Sequence, residues 1–141
     1  MKAVVIGCGR TGSSVALDLA SEGWAVTCVD EDETALSRLG EWRGGFVVGH
    51  GMDLDVLERA GVADARVVVV STDGDNTNIV IGQVVQRRYD RACVVVRILD
   101  PRRAAFYGAR GLRTVCPTQT AIAAITEIVR EAAPIGTAAE R

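Results

Sequence analysis

Apolar residues along this chain fall into short runs and helical stripes that alternate from end to end. Runs over 3–6, 24–29, 44–48, 66–70, 92–99 and 113–116 read as six strands. The four valines Val67, Val68, Val69 and Val70 form the clearest of them, with the unbroken apolar character of a strand covered on both faces. Between the strands, apolar residues recur at helical spacing. Val15, Ala16, Leu17, Leu19 and Ala20 mark a helix over 13–20, and a short helix follows over 31–39. Leu54, Leu57 and Ala60 share one face of a helix over 53–60, with Asp53 at its start and Gly61 as its stop. Ile79, Val80, Val84 and Val85 mark a helix over 76–88, and Pro101 opens another over 102–109. The last stripe, Ile122, Ile125, Ile128 and Val129 over 118–132, fits either packing on the core or a crossing to a second subunit. This order predicts an α/β fold: a Rossmann-type, doubly wound, mainly parallel six-stranded sheet in three layers. One domain takes up residues 1–133, leaving 134–141 as a tail or linker.

Open parallel sheets bind ligands just beyond their strand ends, so those positions carry the candidate chemistry. The first strand runs into Gly7-Cys8-Gly9-Arg10-Thr11-Gly12. In such a turn the first glycine allows a sharp exit from the strand, the second lets backbone approach a pyrophosphate, and the third lets the helix pack closely. Phosphates would sit on the free N–H groups and positive dipole end of that helix, with Arg10 positioned to offset their charge. The second strand ends at Asp30, 18 residues beyond Gly12, where a mononucleotide-binding unit places a carboxylate for an adenosine ribose. Glu31 adjoins it; capping of the next helix is the alternative role for this acidic corner. After the third strand, His50, Gly51 and Met52 lie where adenine is laid: Gly51 would permit close approach and Met52 would pack on the ring. Ser71, Thr72 and Asp73 follow the valine strand, as a border to the cofactor or as a capping turn. Arg97 interrupts an apolar run, which requires a partner: a phosphate, Asp100, or a carboxylate of another subunit.

Composition narrows the function. Of 141 residues 48% are hydrophobic and 24% charged, with a net charge of −2, so no global field draws the chain to nucleic acid or anionic membrane. No run approaches the ~20 apolar residues of a membrane span, and the start is unlike a signal peptide; the expected location is the cytoplasm. The four cysteines, Cys8, Cys28, Cys93 and Cys116, form no CxxC pair and accompany a single histidine, so free thiols are expected and no metal site. Cys8, inside the glycine turn at a helix start, has the one setting that favours reactivity. Lys2 is the only lysine, which argues against Schiff-base chemistry and a Tyr-x-x-x-Lys pair. A sheet that consumes the chain leaves no second domain to hold a substrate against a nicotinamide. The expectation is therefore a binding or sensing module without catalytic residues; the alternative is the cofactor domain of an NAD-linked oxidoreductase whose catalytic part lies on another chain.

These phrases resemble one family. Val5-Ile6-Gly7-Cys8-Gly9-Arg10-Thr11-Gly12, Val29-Asp30-Glu31-Asp32, Gly49-His50-Gly51-Met52-Asp53, Gly74-Asp75-Asn76-Thr77-Asn78 and Val95-Val96-Arg97-Ile98 stand in the order and spacing of the regulator-of-potassium-conductance N-terminal domain, the TrkA-N or KTN domain. The resemblance implies a cytoplasmic regulatory domain, binding NAD(H) or an adenine nucleotide (ATP, ADP or AMP). It implies pairing into homodimers or larger rings and gating of an integral-membrane potassium channel or transporter, with peripheral attachment to the inner membrane face through that partner. Matching positions assign Gly7, Gly9, Arg10 and Gly12 to phosphates, Asp30 to ribose and His50-Gly51-Met52 to adenine, with Arg97 near the phosphates or the dimer hinge. Some members hold a divalent ion through a glutamate where this chain has Gly108, so no such ion is expected. The family's companion C-terminal ligand-binding domain is not in this sequence.

Overall fold

The computed structural model describes residues 1–90 and 92–133; the tail expected over 134–141 lies outside the described residues. Strands β1 (Lys2–Ile6), β2 (Ala25–Asp30), β3 (Gly45–Val48), β4 (Val67–Val70), β5 (Cys93–Arg97) and β6 (Arg113–Val115) form one sheet in the order β3-β2-β1-β4-β5-β6. Every neighbouring pair is parallel. The chain winds outward from β1 to one edge, returns to β4, and winds to the other. That reversal opens a crevice at the carboxyl ends of β1 and β4.

Successive side chains of β1 point to opposite faces, and each face has its own core. Val4 and Ile6 join Val29, Leu57, Val68, Val70, Ile81, Val96 and Ile98 on one side. Ala3 and Val5 join Cys8, Ala16, Val26, Cys28, Ala35 and Leu39 on the other. Full burial of one such valine or isoleucine contributes about 1.5–3 kcal/mol, which is why unbroken apolar strands require a layer on each face. The layers are supplied by α1 (Arg10–Ser21), α2 (Leu54–Arg59), α3 (Asp75–Arg88) and α4 (Pro101–Gly108), with 3₁₀ segments at Glu33–Leu39 and Val62–Asp64; α5 (Pro117–Ala132) follows β6. Pro101 begins α4, and Asp100 caps it by accepting from the Arg102 and Arg103 N–H groups.

Three details differ from the pattern. In α2 the inward face is Val56, Leu57 and Ala60, while Leu54 is exposed; the helix starts at Leu54, so its first side chain projects beyond the packed turn. In α3 Ile81, not Val80, is fully buried. The third concerns α5. It buries no residue at all, and Ile122, Ile125, Ile128 and Val129 all stand exposed, Ile128 to 64%. Core packing of that stripe is thereby excluded. The helix follows β6, an edge strand with only β5 beside it, and runs off the layer that α1 to α4 complete.

Candidate nucleotide site

A cavity of about 300 Å³ opens at the carboxyl ends of β1, β2, β3 and β4, a size in the range of small-molecule sites. Gly7 leaves β1 with φ of +93°, and a Cβ there would lie 2.6 Å from the Thr72 nitrogen, so only glycine makes this exit. Gly12 allows α1 to pack against that turn: a Cβ on it would fall 1.8 Å from the Gly7 carbonyl oxygen. Gly9 is different. A Cβ there would meet nothing within 4 Å, so its backbone faces open space on the cavity side. Gly9 is also the N-cap of α1, where no side chain caps the helix and no acid occupies the first turn. The free N–H groups and positive dipole end are thus left for an outside anion. Arg10 and Thr11 are exposed on this first turn and, like Gly12, are not part of the cavity wall.

Asp30 closes β2 on the other side. Its Oδ2 accepts the Cys8 N–H at 2.7 Å and its Oδ1 accepts the Asp32 N–H at 2.9 Å. The two bonds fix the carboxylate in the cavity wall, and each oxygen retains a lone pair for a ribose hydroxyl. Capping of the next element falls instead to Asp32, which accepts the Thr34 N–H and hydroxyl. The Thr34 hydroxyl, then its N–H, hold the Asp32 carboxyl below its ordinary value. Cys8 itself is fully buried behind the turn, so it presents backbone, not its thiol, to this region.

The adenine-side residues divide. His50 and Gly51 line the cavity, and Met52 does not; its side chain is 45% exposed. The Met52 N–H donates to His50 Nδ1 at 3.1 Å, while Nε2 lies 3.9 Å from a Glu31 oxygen. Gly51 is required by the protein's own packing, since a Cβ would sit 2.4 Å from Ile6 Cγ2 and 2.9 Å from Ile81 Cδ1.

Ser71, Thr72 and Asp73 also line the cavity, but their polar groups are largely engaged. Ser71 Oγ donates to the Gly7 carbonyl at 3.1 Å. The Thr72 N–H and hydroxyl both donate to Asn78 Oδ1, and Asn78 Nδ2 donates back to the Thr72 and Arg97 carbonyls. Arg97 donates to the Thr72 carbonyl at 2.6 Å and stands 3.9 Å from Asp73. Asp100, one of the partners open to Arg97 in the sequence, is not among its contacts; the side chain braces the β4 loop, with its Nε buried and unpaired.

Sequence reasoning missed Arg38, Thr77, Gly49 and the lining role of Asp32. Arg38 reaches back over the glycine turn, its Nη1 3.5 Å from the Cys8 carbonyl. It is the only cation between Arg10 and Arg43, a signal that the motif spacing does not contain.

Comparison with known proteins agrees with this fold. The TrkA-N domain model matches residues 3–134. The Trk system potassium uptake protein TrkA of Streptomyces coelicolor is 40% identical over 116 residues, covering 82% of this chain and 52% of that protein; the chain thus spans about half the length of this curated relative. Among solved structures, the AMP-bound Kef CTD of Shewanella denitrificans has a TM-score of 0.80 at 22% identity, covering 94% of this chain and 82% of the other. GsuK bound to ADP has a TM-score of 0.79 at 20% identity over 93% of this chain and 34% of that one. The GsuK channel bound to NAD has 0.67 at 19% identity over 82% and 21%. These likenesses show the shared fold, and with the family match they establish that this chain belongs to the TrkA-N domain family.

Proposed function

We propose that this chain is the nucleotide-sensing domain of a potassium-transport regulator. It holds NAD(H) or an adenine nucleotide (ATP, ADP or AMP) without converting it. The observation that carries this reading is the cavity between an uncapped helix start and the doubly anchored Asp30, with open space over Gly9. An adenosine phosphate fits that donor set: the α1 N–H groups would hold the phosphate, Asp30 the ribose, and the His50–Gly51 wall the base. The potassium link is supported by the name of the Streptomyces coelicolor relative, and the ligand class by the AMP, ADP and NAD carried by the Kef CTD and GsuK structures.

Two copies pair through the bare stripe of α5, since a solvated face of this kind marks an interaction surface. Ligand binding changes the angle between the paired domains, and that motion acts on an integral-membrane channel or transporter at the inner face of the cell membrane. No helix among the described residues is long and apolar enough to cross a membrane. Mass spectrometry of ligand retained through native purification, followed by incubation with that ligand, tests this. One adenosine nucleotide per chain, recovered intact, is the expected result; hydride transfer to a substrate would overturn it in favour of an oxidoreductase cofactor domain.

A further inference from the structure

Among the described residues Arg38 is the only cation lining the nucleotide cavity, whose wall also carries Asp30, Glu31, Asp32 and Asp73. A phosphate entering so acidic a wall meets one compensating side chain. Arg10, which follows the glycine turn in sequence, is exposed outside that wall.

The 3₁₀ segment Glu33–Leu39 presents Arg38 to the turn. Asp32 caps the start of the segment, and Ala35 and Leu39 bury into the same core as Cys8 and Ala16. That packing fixes the backbone from which the guanidinium reaches back, its Nη1 3.5 Å from the Cys8 carbonyl oxygen. The Cys8 N–H goes to Asp30. Carboxylate and guanidinium thus stand at the two ends of one residue, immediately before Gly9. They do not neutralise each other: Asp30 accepts a backbone N–H at each oxygen, and among the described residues no carboxylate forms an ion pair with Arg38. A guanidinium carries five N–H donors, and one long bond to a carbonyl leaves most of them unused. Arg97 is the contrasting case, held at 2.6 Å by the Thr72 carbonyl with Asp73 3.9 Å away.

We infer that Arg38 is the side chain that binds the ligand's phosphate and so separates nucleotides from nucleosides. Its planar, paired donors match two phosphate oxygens, and the start of α1 supplies the backbone half of the same grip. The long bond to Cys8 is given up for the stronger one. Adenosine has no group for Arg38 to hold. This inference rests on the reading given under Proposed function and adds to it the residue that sets phosphate dependence.

Calorimetric titration of AMP and of adenosine tests it, using the unsubstituted chain and its Arg38→Met, Arg38→Lys and Arg10→Met variants. Arg38→Met is expected to weaken AMP about tenfold, as loss of a charge-assisted hydrogen bond does, and adenosine by less than about twofold. Arg38→Lys keeps the charge without the paired donors and falls between. Because Arg38 is exposed, its variants keep the urea midpoint of the parent chain. Unchanged AMP affinity in Arg38→Met, an equal loss for adenosine, or a larger AMP loss in Arg10→Met would overturn the inference. An unsubstituted chain that binds neither compound would overturn the site reading itself, and the role of Arg38 with it.

Discussion

The loop after β1 and the loop after β4 lie side by side at one end of the sheet and use their hydrogen-bonding groups in opposite ways. The β1 loop ties down Gly7 and Cys8 but leaves the helix start after them open: that helix has no side-chain cap, and Gly9 faces empty space. The β4 loop is closed on itself, because Asn78, 1% exposed, takes both Thr72 donors and gives to two carbonyls. Polar residues at a strand end are thus of two kinds. A group whose partners are already inside the protein supports the site's shape; one without partners is available to a ligand.

Each loop can be broken separately. Gly12→Ala should have the largest effect, a stability loss of about 3 kcal/mol in urea unfolding, at the top of the usual overpacking range, because its Cβ would overlap the Gly7 carbonyl. Asn78→Ala should lower stability by about 2–3 kcal/mol in the same measurement, since it orphans the Thr72 N–H and the Thr72 and Arg97 carbonyls lose a donor. Asp30→Ala should weaken adenosine-nucleotide binding by about 1–3 kcal/mol by calorimetry. In the unsubstituted chain NADP should bind worse than NAD, because its 2′-phosphate meets that carboxylate. Arg97→Met should have the smallest effect on affinity, about 0.5 kcal/mol or less, as a side chain bonded to the protein's own Thr72 carbonyl. A loss above tenfold would place Arg97 on the phosphates.

The sequence made the strands legible because parallel, doubly covered strands have no polar alternation to obscure them. The glycine turn was equally readable, since Gly7 and Gly12 answer steric demands that any other residue would violate, while Gly9 leaves its side of the turn open. Side-chain reach was not readable. Arg38 lies in a 3₁₀ segment and comes back 30 residues to Cys8, and Arg97 turns toward Thr72 across 25; neither distance follows a local period. The α5 stripe showed the same limit, because periodicity marks an apolar face without saying what covers it.

The central claim is that the turn after β1 and Asp30 together hold an adenosine phosphate. Amide chemical-shift mapping of the ¹⁵N-labelled chain during an AMP titration tests it most directly. The account predicts saturable shifts at Gly9, Arg10, Asp30 and Gly51. No saturable shift, or shifts confined to the opposite end of the sheet around Trp24 and Trp42, would contradict it.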